Sequence, residues 1–209
     1  MKIIGSIAAI ALVFIYVIGA GAWVNTGDNW YRTLNAPSWQ PPDFIFGIIW
    51  PYNFIVLAVA AVIVANRSSD STTIIFLSIM ALSIAAALTW AYQFYRPHNL
   101  GIATIALALC AALTIPLLII TARASIPATI ALIPYQLWLI TAATLSYSYM
   151  RGNWVERHKQ IIISIFLFLP EFSIRTNVLF QYLLAVLPPR RTSQCVSQLK
   201  KRFSVLNLS

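Results

Sequence analysis

The side chains of this sequence that are able to meet a ligand inside a membrane are almost all neutral rings, hydroxyls and amides. Trp50, Asn53, Thr89, Trp90, Tyr92, Gln93, Tyr135, Gln136, Trp138, Thr141 and Tyr147 lie within long apolar runs. Aromatic faces offer large flat contact areas, while indole N–H, phenol and amide groups add a few directional hydrogen bonds. Such a lining suits a large, flat, mostly apolar ligand oriented by a handful of polar contacts. Any one of these residues reads first as core packing or as an interfacial anchor. Their concentration at one end of the runs favours a site. The connector from Trp30 to Trp50, WYRTLNAPSWQPPDFIFGIIW, adds Trp30 and Trp39 and holds Pro37, Pro41 and Pro42. Proline fixes φ and biases the residue before it to extended geometry, so PSWQPP is a loop of fixed shape, suited to cover an apolar ligand.

Other chemistries find no support. Ile3–Val24, Phe44–Ala65, Ser71–Tyr95, Leu100–Ala122 and Ala124–Met150 contain no Asp, Glu, Lys, Arg or His. Proton-coupled pumps and ion channels place ionisable groups within the membrane, so ion or proton coupling is not expected. His98 and His158 are isolated, and no metal-ligand spacing, phosphate loop or nucleophile elbow is present. Cys110 and Cys195 offer no disulfide framework, and Cys110 reads as a small packing residue. No catalytic residue, metal or cofactor is expected.

The elements that must position these rings follow from composition. Of 209 residues, 60% are hydrophobic and 9% charged, and the mean hydropathy is +0.79; soluble domains carry roughly 25% charged residues. Each of the five uncharged runs meets the requirement of about 20 apolar residues for a spanning helix, and lipid leaves helices as the only way to satisfy backbone in runs that long. The expected fold is all-α, an integral membrane bundle of five transmembrane helices. The first run is longer than the apolar region of a signal peptide and reads as a retained helix. In the second helix Trp50-Pro51 predicts a bend that opens space beside the indole. The third carries small residues, Ala81 and Ala85, suited to close helix approach within the bundle or across a homodimer. In the fifth, Tyr135, Trp138, Ala142, Leu145 and Tyr149 recur every three or four residues and share one face.

Charge is uneven: residues 1–150 hold five basic and three acidic side chains, and residues 151–209 hold nine and two. A basic segment beside a membrane marks the cytoplasmic side, which puts the C-terminus and the Pro/Trp loop there. Residues 154–209 form a basic extension, expected to be interfacial and amphipathic or disordered. No recognition motif accompanies its charge, so nucleic acid is not an expected partner.

The signature WYxxLNxPSWxPPxxxFGxxW resembles that of the TspO/MBR family, the tryptophan-rich sensory protein, translocator protein and peripheral benzodiazepine receptor group. LTWAY (Leu88–Tyr92) is similar to the family's LNWxW, PYQLW (Pro134–Trp138) to its PYLxW, and LSYSYMRGN (Leu145–Asn153) to its LNYxxWRxN. The match covers residues 1–153 as one domain. The resemblance implies a five-helix, often dimeric membrane protein that binds porphyrins and other tetrapyrroles, with sterol binding in several members. By matching residue it implies a pocket beneath the first loop lined by Trp39, Trp50, Trp90, Tyr92, Tyr135, Trp138 and Ala142, whose small side chain leaves room for ligand. Thr89 and Ser146 stand where the family has asparagine and Met150 where it has tryptophan, removing two amides that could orient a ligand.

The expected function is therefore that of a membrane receptor or transport protein for porphyrin-type ligands, influencing tetrapyrrole handling or stress signalling. The alternatives are a porphyrin-degrading activity whose chemistry belongs to the ligand, and a lipid- or sterol-binding scaffold. Leu145, Tyr147 and Arg151 fit a pattern proposed for sterol contact, which also describes ordinary Tyr/Arg anchoring at a helix end.

Overall fold

The computed structural model describes residues 2–24, 26 and 28–168, with side chains as far as Asn153. Six helices follow in order: α1 (Lys2–Trp23), α2 (Asn29–Thr33), α3 (Asp43–Arg67), α4 (Asp70–Tyr95), α5 (Leu100–Ala124) and α6 (Ile126–Phe168). Five stretches are long and apolar enough to cross a membrane: α1, α3, α4, α5 and Ile126–Asn153 of α6. Among the described residues there are no strands. Met1–Arg157 is one compact unit, and the packing below is that unit's.

Short polar connectors stop and restart the helices. The Ser69 hydroxyl accepts from the Thr72 N–H at 3.2 Å to start α4, and the Asn99 side-chain Oδ1 accepts from the Ile102 N–H at 3.1 Å to start α5. Arg67 and Arg123 fall in the last turns of α3 and α5, where the helix dipole favours a cation. Within the spans, hydroxyls bond back to the preceding turn: Thr104 to Leu100, Thr114 to Cys110 and Thr121 to Leu117, all within 2.9 Å. This keeps buried polar atoms satisfied where no water competes.

Packing relies on small side chains. α4 packs chiefly on α5, and α1 on α3 and α4. A Cβ on Gly19 would stand 2.7 Å from the Leu88 Cδ2, so glycine lets α1 and α4 meet. Between α5 and α6 the Gln136 amide donates to the Ala111 carbonyl at 3.0 Å, and the Thr104 and Ser146 hydroxyls lie 3.1 Å apart. Tyr52 on α3 donates to the Ala131 carbonyl of α6 at 2.8 Å. The opposite faces, such as Ile105, Leu109 and Ile119 of α5, are exposed and apolar, as contact with lipid tails requires.

The connectors and the last helix add detail to the five expected spans. The connector holds a short helix, α2, because the Asp28 carboxylate caps it by accepting from the Trp30 N–H at 3.2 Å. α6 begins before Pro127, since a helix tolerates proline in its first turn. It also continues without a break to Phe168, past the boundary expected at residue 153. Pro51, Pro116 and Pro134 all sit inside unbroken helices. The character expected of the basic extension rests on residues outside the described ones.

Candidate functional site

The rings inside the bundle are in mutual contact. Trp50 of α3 and Trp90 of α4 stack with centroids 6.3 Å apart and planes 18° from parallel. Trp50 also meets Phe54, one turn on, and the edge of Tyr16 of α1. Trp138 of α6 sets its ring at 79° to Phe46, one turn before Trp50, with centroids 5.2 Å apart. Offset and edge-on pairs at such distances add about 0.5–1.5 kcal/mol each beyond the area they bury. Farther along α4, Trp90 touches Phe94 and Tyr95, and Phe94 touches Tyr149 of α6 and Tyr31 of α2. A continuous ring stack thus runs from the loop into the membrane-spanning region.

The stack satisfies its polar atoms incompletely. The indole N–H groups of Trp90 and Trp138 are buried with no hydrogen-bond partner among the described residues. Asn53, 0% exposed, leaves both amide atoms unpartnered in the same sense. Orphan donors of this kind cost about 1–3 kcal/mol apiece, so a ligand that brings acceptors recovers energy the apo protein forgoes.

The loop is tied down at three points. The Asn153 amide of α6 pairs with the backbone of Asn35: its oxygen accepts from the Asn35 N–H at 2.9 Å and its nitrogen donates to the Asn35 carbonyl at 3.4 Å. That nitrogen also donates to the Tyr149 carbonyl at 2.9 Å, which fixes the amide's orientation. The Tyr149 hydroxyl donates to the Gln40 side-chain oxygen and lies 3.4 Å from the Tyr31 hydroxyl. On the other flank Trp30 stacks on His98 at 3.7 Å, in the turn between α4 and α5, where His98 holds a φ of 59°. His98, expected as an isolated loop residue, is one face of the clamp.

Between loop and bundle lies a cavity of about 340 Å³. It is lined by Thr26, Tyr31, Arg32, Leu34, Ala36, Gln40, Asp43 and Tyr149. Its volume is at the lower end of the range for small-molecule sites. Among the described residues neither Arg32 nor Asp43 makes an ion pair, and no group of three or more potential metal ligands exists.

None of the seven residues expected to line the pocket borders this cavity. Trp50, Trp90, Tyr135 and Ala142 belong to one apolar cluster inside the bundle, and Trp138 is buried against Phe46. The cavity described above lies where the proline-fixed loop meets the end of α6. Tyr92, 44% exposed, turns outward and packs on Trp23, and Trp39 is 46% exposed in the loop. Leu145 is buried while Tyr147 is 46% exposed beneath the Arg151 guanidinium, so the sterol-pattern residues do not share a surface. The Thr89 hydroxyl bonds back to the Ala85 carbonyl, and that of Ser146 lies against Thr104. Neither replaces the missing amides at the cavity.

Sequence reasoning missed Tyr31, Gln40 and the Asn35–Asn153 pair. The two asparagines are 118 positions apart, and nothing in either segment alone marks a partner.

The comparisons agree with the architecture. A family model described as the TspO/MBR family matches residues 8–151. An uncharacterized membrane protein, YtaB, of Bacillus subtilis (strain 168) is 29% identical over 147 residues, 70% of this chain and 95% of that protein. A tryptophan-rich sensory protein of Cereibacter sphaeroides is 27% identical, covering 69% of this chain and 92% of its own. The translocator protein of Bos taurus is 25% identical, covering 67% and 84%.

Proposed function

Because the chain belongs to the TspO/MBR family of multi-pass membrane proteins, we propose that it is a receptor or transport protein for porphyrin-type tetrapyrroles, influencing tetrapyrrole handling or stress signalling. The ligand binds between the first loop and the ring stack, with the cavity as the part of that space already open. What carries the reading is the stacked Trp50–Trp90 pair with the orphan N–H groups of Trp90 and Trp138, a flat apolar platform short of acceptors. A macrocycle larger than the cavity enters by lifting the loop. The loop, the α4–α5 turn and the end of α6 share one side of the bundle, and we place that side in the cytoplasm.

Titration of the purified protein with protoporphyrin, followed through the porphyrin's Soret band, tests the function. Saturable binding is expected, weakened about tenfold in the double variant Trp90→Phe, Trp138→Phe, which keeps ring area and removes two donors. Binding that never saturates, or that ignores both this variant and Trp50→Ala, sinks the reading.

Ala81 is partly exposed and Ala85 exposed on α4, and we infer that a second copy packs there. Disulfide formation by Ala85→Cys in membranes, with none from a lipid-facing Ile105→Cys control, is the expected outcome.

A further inference from the structure

The polar equipment of the loop cavity is lopsided. The Tyr149 hydroxyl donates to the Gln40 side-chain oxygen and lies 3.4 Å from the Tyr31 hydroxyl. That contact occupies the Gln40 oxygen and leaves its NH2 without a hydrogen bond among the described residues. Arg32 adds five N–H donors and no acceptor to the same cavity, without an ion-pair partner among the described residues. The opposing charge is Asp43, in the first turn of α3, where the N-terminal end of the helix dipole offsets it. The donors without a partner, the Arg32 guanidinium and the Gln40 NH2, belong to residues lining a cavity next to the ring stack.

We propose that Arg32, supported by the Gln40 amide, is the residue that selects ligands bearing a carboxylate, so that the cavity takes the acidic edge of a flat amphipath while its apolar body meets the rings. This rests on the tetrapyrrole reading above and narrows it to carboxylated members of the class. A guanidinium matches a carboxylate in a two-point geometry that an ester cannot accept as strongly, since the ester carries no charge. Arg32 is exposed to water, so the preference is modest and weakens with salt.

The test compares protoporphyrin with its dimethyl ester on the full-length protein in detergent at low ionic strength. Wild type is expected to bind the free acid about tenfold more tightly than the ester, within the range for charge-assisted hydrogen bonds. Arg32→Gln is expected to lose that preference while binding the ester as wild type does, so ester affinity reports that the variant is folded. Arg96→Gln, an exposed cation in the α4–α5 turn outside the cavity, is expected to keep the preference. Equal binding of acid and ester by wild type, or a preference that survives Arg32→Gln, overturns the role of Arg32 and leaves the tetrapyrrole reading standing. If wild type binds neither form, the tetrapyrrole reading fails and the selection mechanism with it.

Discussion

At Trp90 the ring and the N–H pull in different directions. The ring packs on Trp50, Phe94 and Tyr95, while the N–H is buried without a partner. Trp90→Phe removes the orphan donor and keeps most of the contact, so in the absence of ligand its thermal stability should match or exceed wild type. A fall in melting temperature in detergent would show that the N–H is satisfied in solution. Gly19 makes the opposite argument. Any side chain there meets Leu88, and Gly19→Val should destabilise the α1–α4 contact by about 1–3 kcal/mol, read as a lower unfolding midpoint. A matching Leu88→Ala should restore part of the loss. The tryptophans stand out in a sequence reading because they are large and sparse, whereas a glycine under a leucine on another helix does not.

The first loop is the element on which the proposed function turns. Proline gives it shape, but its position depends on Asn153, on Tyr149 with Gln40, and on the stack of Trp30 and His98. Asn153→Ala removes two hydrogen bonds to the Asn35 backbone, each worth about 1 kcal/mol net. The loop should then open more often: protoporphyrin association in stopped flow is expected to quicken several-fold, and protease cleavage within residues 28–42 to rise. Association unchanged or slowed would mean the loop does not gate entry. Asn153→Asp keeps the acceptor for the Asn35 N–H and should fall between the two. The stiffness of this connector was legible from PSWQPP alone; the helical turn α2 and the anchor sites were not, because each needs a partner from a distant segment.

For the molecule as a whole, five spans place the two ends of the bundle on opposite sides of the membrane. A reporter fused after residue 153 should read as cytoplasmic and one fused before α1 as external; the reverse pattern would invert the assignment while leaving the site intact. The sequence by itself determined the number of membrane-spanning stretches, the helical class and the shared face of Tyr135, Trp138, Ala142, Leu145 and Tyr149, all five buried. It could do so because hydrophobicity over about 20 residues and a period of 3.6 are local properties that lipid enforces without reference to the rest of the chain. Only the tertiary structure decided that Trp50 and Trp90 stack on each other, that Tyr92 and Tyr147 turn outward, and that Tyr31, Arg32, Gln40 and Tyr149 line a cavity. Rings that share a segment compete for the same interior, and which of them wins is set by the neighbouring helix, a fact that no single stretch of sequence contains.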